Sequence, residues 1–412
     1  MTDVVVTGYG ATTPLGGDAA STWDALLAGK SGVGHTTGEW VDKHDLPVKI
    51  SAQLAVEPTE VLSRVQARRM DRCEQVAVIA AREAWAHAGL AVEKGEEPKV
   101  DPTRLAVVVG TGIGGVTTLL DQDDLLEADG LRKVSPLVVP MLMPNGPAAL
   151  ISLEIGARGG VHSPASACAT GAEAMAWAWR LLKAGEVDVV VAGGAEACIA
   201  PITVAGFVQA RTLSQRNDAP QEASRPFDTG RDGFVLGEGA GVLVLERREF
   251  AEARNATIHG TLAGIGLTSD AYHITGPDPE GGGQGRAMLN AVRTAGLEPS
   301  DVGHVNCHAT STVVGDVGEA NAIKKALGDH PVLTAPKASM GHLVGGAGAV
   351  EGLIALLSVR DGIIPATLNL EDKDPKVDLD VVAGEPRKMD LTAAVNNSFG
   401  FGGHNASLLF TK

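Results

Sequence analysis

The chain repeats itself at half its own length. Ala84-Trp85-Ala86-His87-Ala88-Gly89-Leu90 has a counterpart in Ala291-Val292-Arg293-Thr294-Ala295-Gly296-Leu297, a shift of 207 positions in a chain of 412. After each copy comes an acidic, proline-containing turn (Asp101-Pro102, Glu298-Pro299), then a short strand and a small-residue loop (Gly110-Thr111-Gly112, Ala309-Thr310-Ser311). A second pair supports the first: Ser163-Pro164-Ala165-Ser166-Ala167-Cys168 and Ala335-Pro336-Lys337-Ala338-Ser339-Met340 each precede an Ala-rich helical stretch. A chain made of two copies of one unit is constrained to stack them about a shared core. The expected division is residues 1–250 and 251–412.

Short β-branched runs at Val4–Thr7, Leu105–Val109, Val187–Ala192 and Gly241–Leu245 alternate with helical stretches such as Gln75–Ala88 and Ala172–Ala184, the pattern of an α/β fold. With 52 glycines and only 3% aromatic residues, the elements are expected to pack closely on small side chains. The balance of 34 basic against 50 acidic residues, a net −16, excludes a general nucleic-acid or anionic-membrane surface. No apolar run reaches the roughly 18 residues of a membrane span, and Met1-Thr2-Asp3 lacks a basic signal-peptide start, so a cytoplasmic protein is expected. The four cysteines are widely spaced with no C-x-x-C pair, which argues against a zinc site or disulfide scaffold.

Gly110-Thr111-Gly112-Ile113-Gly114-Gly115 fits a dinucleotide fingerprint, but no acidic residue ends a second strand about 20 positions on. Cys168 carries more chemistry. Pro164–Ala167 ends an extended segment and Ala169–Met175 opens a helix, which places the thiol where helix N–H groups favour a thiolate and an adjacent oxyanion. The alternative is a small buried residue between alanines. His308 and His342 fall in loops at element junctions rather than on apolar helix faces. Lys337 and Glu351 flank His342 at five and nine residues, either as a network setting its tautomer or as a surface ion pair. Asn396-Asn397-Ser398-Phe399-Gly400-Phe401-Gly402-Gly403 places two of the chain's seven phenylalanines in a glycine-rich loop suited to gating a ligand.

Taken with Val4-Val5-Val6-Thr7-Gly8-Tyr9-Gly10-Ala11, Ala223-Ser224-Arg225-Pro226-Phe227-Asp228 and Arg231–Gly241, these motifs resemble the elongating, type II β-ketoacyl-acyl carrier protein synthases of the thiolase superfamily, in particular actinobacterial ones. The resemblance covers essentially the whole chain. It implies a thiolase-like fold in which two duplicated βαβ halves form a five-layered α-β-α-β-α core. It also implies a decarboxylative Claisen condensation: Cys168 holds the acyl chain, and His308 and His342 promote malonyl decarboxylation and stabilise the enolate. The family places the oxyanion hole at the backbone N–H groups of Cys168 and Phe401, and Lys337 and Glu351 in a supporting network. Phe399 and Phe401 form its gating loop, Ile113 and Phe207 border the acyl channel, and Thr310 and Thr312 bind the pantetheine arm. No cofactor or metal is implied, since substrates ride on the phosphopantetheine of acyl carrier protein. Ala309 stands where glycine is more usual, and Val313-Val314 where many relatives have a proline beside a small residue. Both departures bear on the pantetheine entrance.

The implied partner is an acidic carrier protein, so a chain at −16 needs a local basic surface. Arg64, Arg68, Arg69, Arg72 and Arg211 are the candidates, with a solvated helix face as the plain alternative. Assembly is expected as a homodimer, or as a heterodimer with a chain-length factor if the chain is the catalytic subunit of a type II polyketide synthase. A non-catalytic chain-length subunit would lack Cys168, and the chain-initiating enzymes use Asn where His342 stands.

Overall fold

The structure is a computed structural model and describes residues 2–38, 40–92 and 95–412. In its first half, strands β1 (Val4–Thr12), β2 (Leu105–Gly110), β3 (Val161–His162), β4 (Val189–Glu196) and β5 (Gly239–Arg247) are accompanied by helices α1 (Arg72–His87), α2 (Gly146–Ile155), α3 (Thr170–Ala184) and α4 (Pro201–Gln209). The second half has β6 (Gly260–Ser269), β7 (Val302–Asn306), β8 (Val332–Thr334), β9 (Ala393–Gly400) and β10 (His404–Thr411), with α5 (Gly282–Ala295), α6 (Val313–Leu327) and α7 (Ala347–Asp361).

The repeat is a topological one. Sheet order is β8-β7-β9-β10-β6-β1-β5-β4-β2-β3, so each half, read from the centre outward, runs first, fifth, fourth, second, third strand. The half-sheets meet edge to edge where Val5 and Val6 pair antiparallel with Thr261 and Gly260, which makes one ten-stranded ladder. Matching sequence copies sit at matching places. α1 ends before Gly89 (φ +69°) and α5 before Gly296 (φ +71°), both in the left-handed region that closes a helix most cheaply with glycine. The one-turn helices Pro102–Arg104 and Pro299–Asp301 then lead into β2 and β7.

Five layers result: α1 and α2 outside, the first half-sheet, α3 and α7 packed on each other, the second half-sheet, then α5 with α6. The central layer explains the composition. α7 is buried all round from Ala347 to Val359, which only a helix enclosed on every side tolerates. A Cβ on Gly171 would lie 2.7 Å from Ala349 N, and one on Gly348 would lie 2.8 Å from Ala172 N, so the two helices touch backbone to backbone with no room for rings. α1 starts three residues before the expected stretch. Asp71 accepts from Cys73 N, and Glu74 accepts from Asp71 N at 2.8 Å, a reciprocal cap that fixes the start at Arg72.

Candidate active site

A cavity of about 350 Å³ opens beside the C-terminal ends of β6, β7 and β9, and Cys168, His308 and His342 all line it. Cys168 lies in the one-turn helix Ala167–Ala169 that runs into α3, so the thiol stands at a helix start as its flanking residues indicate. Ala167 is held at φ +51°, a left-handed conformation that turns the chain sharply into the helix. The N–H groups of Phe401 and of Cys168 itself both bear on the sulfur. Phe401 reaches it because Gly400 has no side chain: a Cβ there would collide with Ser166 O and press on Cys168 N at 3.3 Å.

The expected lowering of the thiol pKa is not what the site gives. Burial pushes Cys168 up to about 12; Lys337 and the two N–H groups pull it down, and Glu196 adds to the rise. The nucleophile therefore rests as a thiol and must give up its proton during attack.

β7 stops at Asn306, so strand alternation does not extend to Cys307 and His308. Cys307 is fully buried in the outer core, whereas His308 turns into the cavity. The loop is fixed by Glu319 on α6, whose carboxylate accepts from His308 N at 2.9 Å, Ala309 N at 2.7 Å and Asn397 Nδ2 at 3.1 Å. Ala309 costs this clasp nothing, because only its backbone is used.

His342 is held by backbone on both sides, its N–H donating to Val235 O and its carbonyl accepting from Gly237 N. Among the described residues, neither of its ring nitrogens has a hydrogen-bond partner. Its ring stands edge-on to His308 at 5.4 Å and to Phe234 at 5.3 Å.

Lys337 and Glu351 are a buried ion pair at 2.6 Å, with side chains 1% and 0% exposed, and not a surface pair. They also serve a different histidine from the one sequence spacing indicates. Lys337 Nζ lies 3.4 Å from His308 Nδ1, because the turn Lys337–Met340 folds back beneath the His308 loop. An ammonium can only donate, so Nδ1 of a neutral His308 accepts and the ring proton sits on Nε2. Burial and the Lys337 charge hold both histidines well below the usual imidazole range, so both are neutral at pH 7.

Phe207, Thr310, Thr312, Arg211, Phe399 and Phe401 line the same cavity, as do Val313 and Val314, which are exposed at its mouth. Thr310 and Thr312 hydroxyls lie 3.1 Å apart. Ile113 does not line the cavity. Its loop is drawn aside by Glu196, which accepts from Thr111 Oγ1, Gly112 N and Gly345 N at 2.8, 2.8 and 3.2 Å. Arg64, Arg68 and Arg69 are exposed and have no ion-pair partner among the described residues. Arg72 leaves that set, because its guanidinium is held by Glu57 and by buried Glu238, each at 2.7 Å.

Glu319 and Glu196 are the functional neighbours that sequence reading missed. Glu319 had a signal: an acid in the early turns of a helix that directly follows a reactive loop.

Residues 1–251 match the β-ketoacyl synthase N-terminal domain and residues 259–371 its C-terminal domain. The chain belongs to the β-ketoacyl synthase family. It is 46% identical to 3-oxoacyl-[acyl-carrier-protein] synthase 2 of Mycobacterium tuberculosis (strain ATCC 25618 / H37Rv), over 99% of this chain and 97% of that protein. Among solved structures, a β-ketoacyl synthase from Burkholderia phymatum STM815 superposes with a TM-score of 0.92 at 35% identity, covering 100% of both chains. The ketosynthase/chain length factor of ishigamide superposes at 0.89 and 31%, covering 100% of this chain and 99% of that one. AntDE:AntF, a type II polyketide synthase acyl-carrier protein in complex with its ketosynthase bound to the hexaketide, superposes at 0.90 and 28%, with the same coverage. The chain is thus an acyl-transferring condensing enzyme on a thiolase fold, a β-ketoacyl-acyl carrier protein synthase.

Proposed function

We propose that this β-ketoacyl synthase elongates fatty acyl chains by condensing malonyl-acyl carrier protein with an acyl group held on Cys168. The observation that carries the reading is one cavity in which a thiol flanked by two backbone N–H groups faces two neutral imidazoles. Sγ attacks the thioester carbonyl of acyl-carrier protein, the oxyanion lies against the N–H groups of Cys168 and Phe401, and the carrier thiol leaves with the proton that the cysteine surrenders. Malonyl-carrier then loses CO2. His308 Nε2–H and His342 donate to the enolate oxygen, and neutral imidazoles suit this because they donate without protonating the carbon nucleophile. The enolate carbon attacks the acyl-Cys168 carbonyl, and the C–S bond breaks to give β-ketoacyl-carrier and a thiolate that regains a proton.

Phe399 and Phe401 act as the gate, Phe207 borders the acyl group, and Thr310 with Thr312 receives the pantetheine arm at the mouth. Ile113, exposed and off this cavity, is assigned to the acyl channel on the family resemblance alone. No cofactor or metal takes part in this scheme. Arg64, Arg68, Arg69 and Arg211 form the docking surface for an acidic carrier. The catalytic unit is a homodimer in this reading, with the nucleophile from residues 1–250 and both histidines from 251–412. We assign the reaction to the cytoplasm; among the described residues no helix is long and apolar enough to cross a membrane.

A second reading, the catalytic subunit of a type II polyketide synthase, is supported by the ishigamide and AntDE:AntF likenesses. One experiment separates the two. The purified protein is given malonyl-carrier and acyl-carrier primers of graded length, and products are read by intact mass. Condensation by the protein alone supports elongation, whereas acylation of Cys168 without condensation moves the polyketide reading first. Retention of acyl loading in Cys168→Ala overturns both.

A further inference from the structure

Arg231 lies outside the cavity and is 5% exposed, yet every face of its guanidinium is used. Nε donates to Thr312 O at 3.1 Å, Nη2 to Val313 O at 3.0 Å and to Asp374 at 2.9 Å, and Nη1 to Asp228 O at 2.6 Å. Asp316 stands 3.6 Å away and accepts from Phe227 N and Thr312 N. Beside this fork, Ser311 is held at φ +69°, a left-handed conformation unfavourable for a residue with a Cβ. Two contacts impose it: Arg225 N donates to Ser311 Oγ and Gly233 N to Ser311 O, each at 3.0 Å. Residues 225–233 therefore strap the loop that runs from His308 to Val313, gripping it by backbone carbonyls and one strained serine.

We infer that Arg231 is a positioning residue for the carrier arm: it fixes the Thr310 and Thr312 hydroxyls at the cavity mouth and thereby sets the KM for carrier-bound substrates. This rests on the reading that those threonines receive pantetheine. A guanidinium is needed because three carbonyls and a carboxylate surround Nε, Nη1 and Nη2 and match its fork of donors, whereas an ammonium is a point charge with three donors.

The test is Arg231→Lys, which keeps a cation beside Asp316 and Asp374. KM for acyl-carrier and malonyl-carrier is expected to rise about tenfold, the effect of losing one charge-assisted hydrogen bond. Alkylation of Cys168 by iodoacetamide, which needs no arm, is expected to stay at the wild-type rate. An unchanged KM overturns the inference, and so does alkylation slowed in step with turnover, the mark of general disruption. Should Arg231→Lys not fold, Asp374→Asn carries the test. The change sits at a partly exposed side chain and weakens the anchor of Arg231 Nη2, so a KM rise upholds the role and an unchanged KM overturns it. A wild-type protein inactive on both carrier substrates removes the functional reading itself, and the role of Arg231 with it.

Discussion

Lys337 shows how much one residue carries. Its ammonium neutralises Glu351 and orients His308 from beneath, and both members of the ion pair lie out of water. Burial pushes Glu351 up to about 7 even with Lys337 pulling it down, so the lysine is what favours the carboxylate form there. Removing one partner of such a pair leaves a buried charge and typically costs about 3–5 kcal/mol. Lys337→Met is therefore expected to lower the urea midpoint with an unchanged slope, and adding Glu351→Gln should restore much of the loss. Malonyl decarboxylation should stay impaired in the double variant, because nothing then holds the His308 proton on Nε2. Full recovery of both stability and decarboxylation would show that the lysine acts on Glu351 alone.

Among the elements, the turn into α3 and the strand end at β9 must approach to backbone distance, and Gly400 permits it. Gly400→Ala is expected to push the Phe401 N–H away from Sγ and slow Cys168 acylation by about 10²-fold, the usual effect of losing one oxyanion donor. Gly206→Ala on α4 is the control: no atom lies within 4 Å of its would-be Cβ, so activity should hold and stability rise by up to about 1 kcal/mol. Stopped-flow acylation with an acyl thioester and a urea titration read both. Elements of this kind were legible in the sequence wherever local chemistry decides them. The repeated Ala-Gly-Leu ends are helix stops, and Pro164–Met175 reads as an extended segment entering a helix. The partner of each buried charge was not legible. Lys337 lies five residues from His342 but serves His308, and Arg72 in a basic cluster is consumed by Glu57 and Glu238, because such pairings are set by the crossing of distant elements. Glu196, whose partners Thr111, Gly112 and Gly345 come from two distant loops, was hidden for the same reason.

At the scale of the whole molecule, the two half-sheets hydrogen-bond through a short strand pairing at the seam, Val5 and Val6 with Thr261 and Gly260, and a ring cluster lies beside it. Tyr9 on β1, His87 at the end of α1 and His259 just before β6 stand at 4.2, 5.1 and 4.6 Å from one another, and Arg360 at the end of α7 donates to the Tyr9 hydroxyl at 2.7 Å. Asp361 takes the other face of Arg360, so no carboxylate among the described residues pairs with either imidazole. Burial, then the neighbouring His87 and Arg360, lower His259 from 6.5 to about 4; burial lowers His87 as well. A base with a depressed folded pKa binds fewer protons folded than unfolded, so stability rises with pH through that window and is lost as pH falls from 6.5 towards 4. Acidification thus charges two adjacent rings beside a guanidinium at the one place where the half-sheets join. His259→Phe keeps a ring and removes the titration. Its urea midpoint is expected to fall less steeply than wild type between pH 6.5 and 4, and to converge with wild type in slope above pH 7. Parallel curves across the acid range would place the acid sensitivity elsewhere, with His304, fully buried and lowered to about 4 by that burial, the next group to replace.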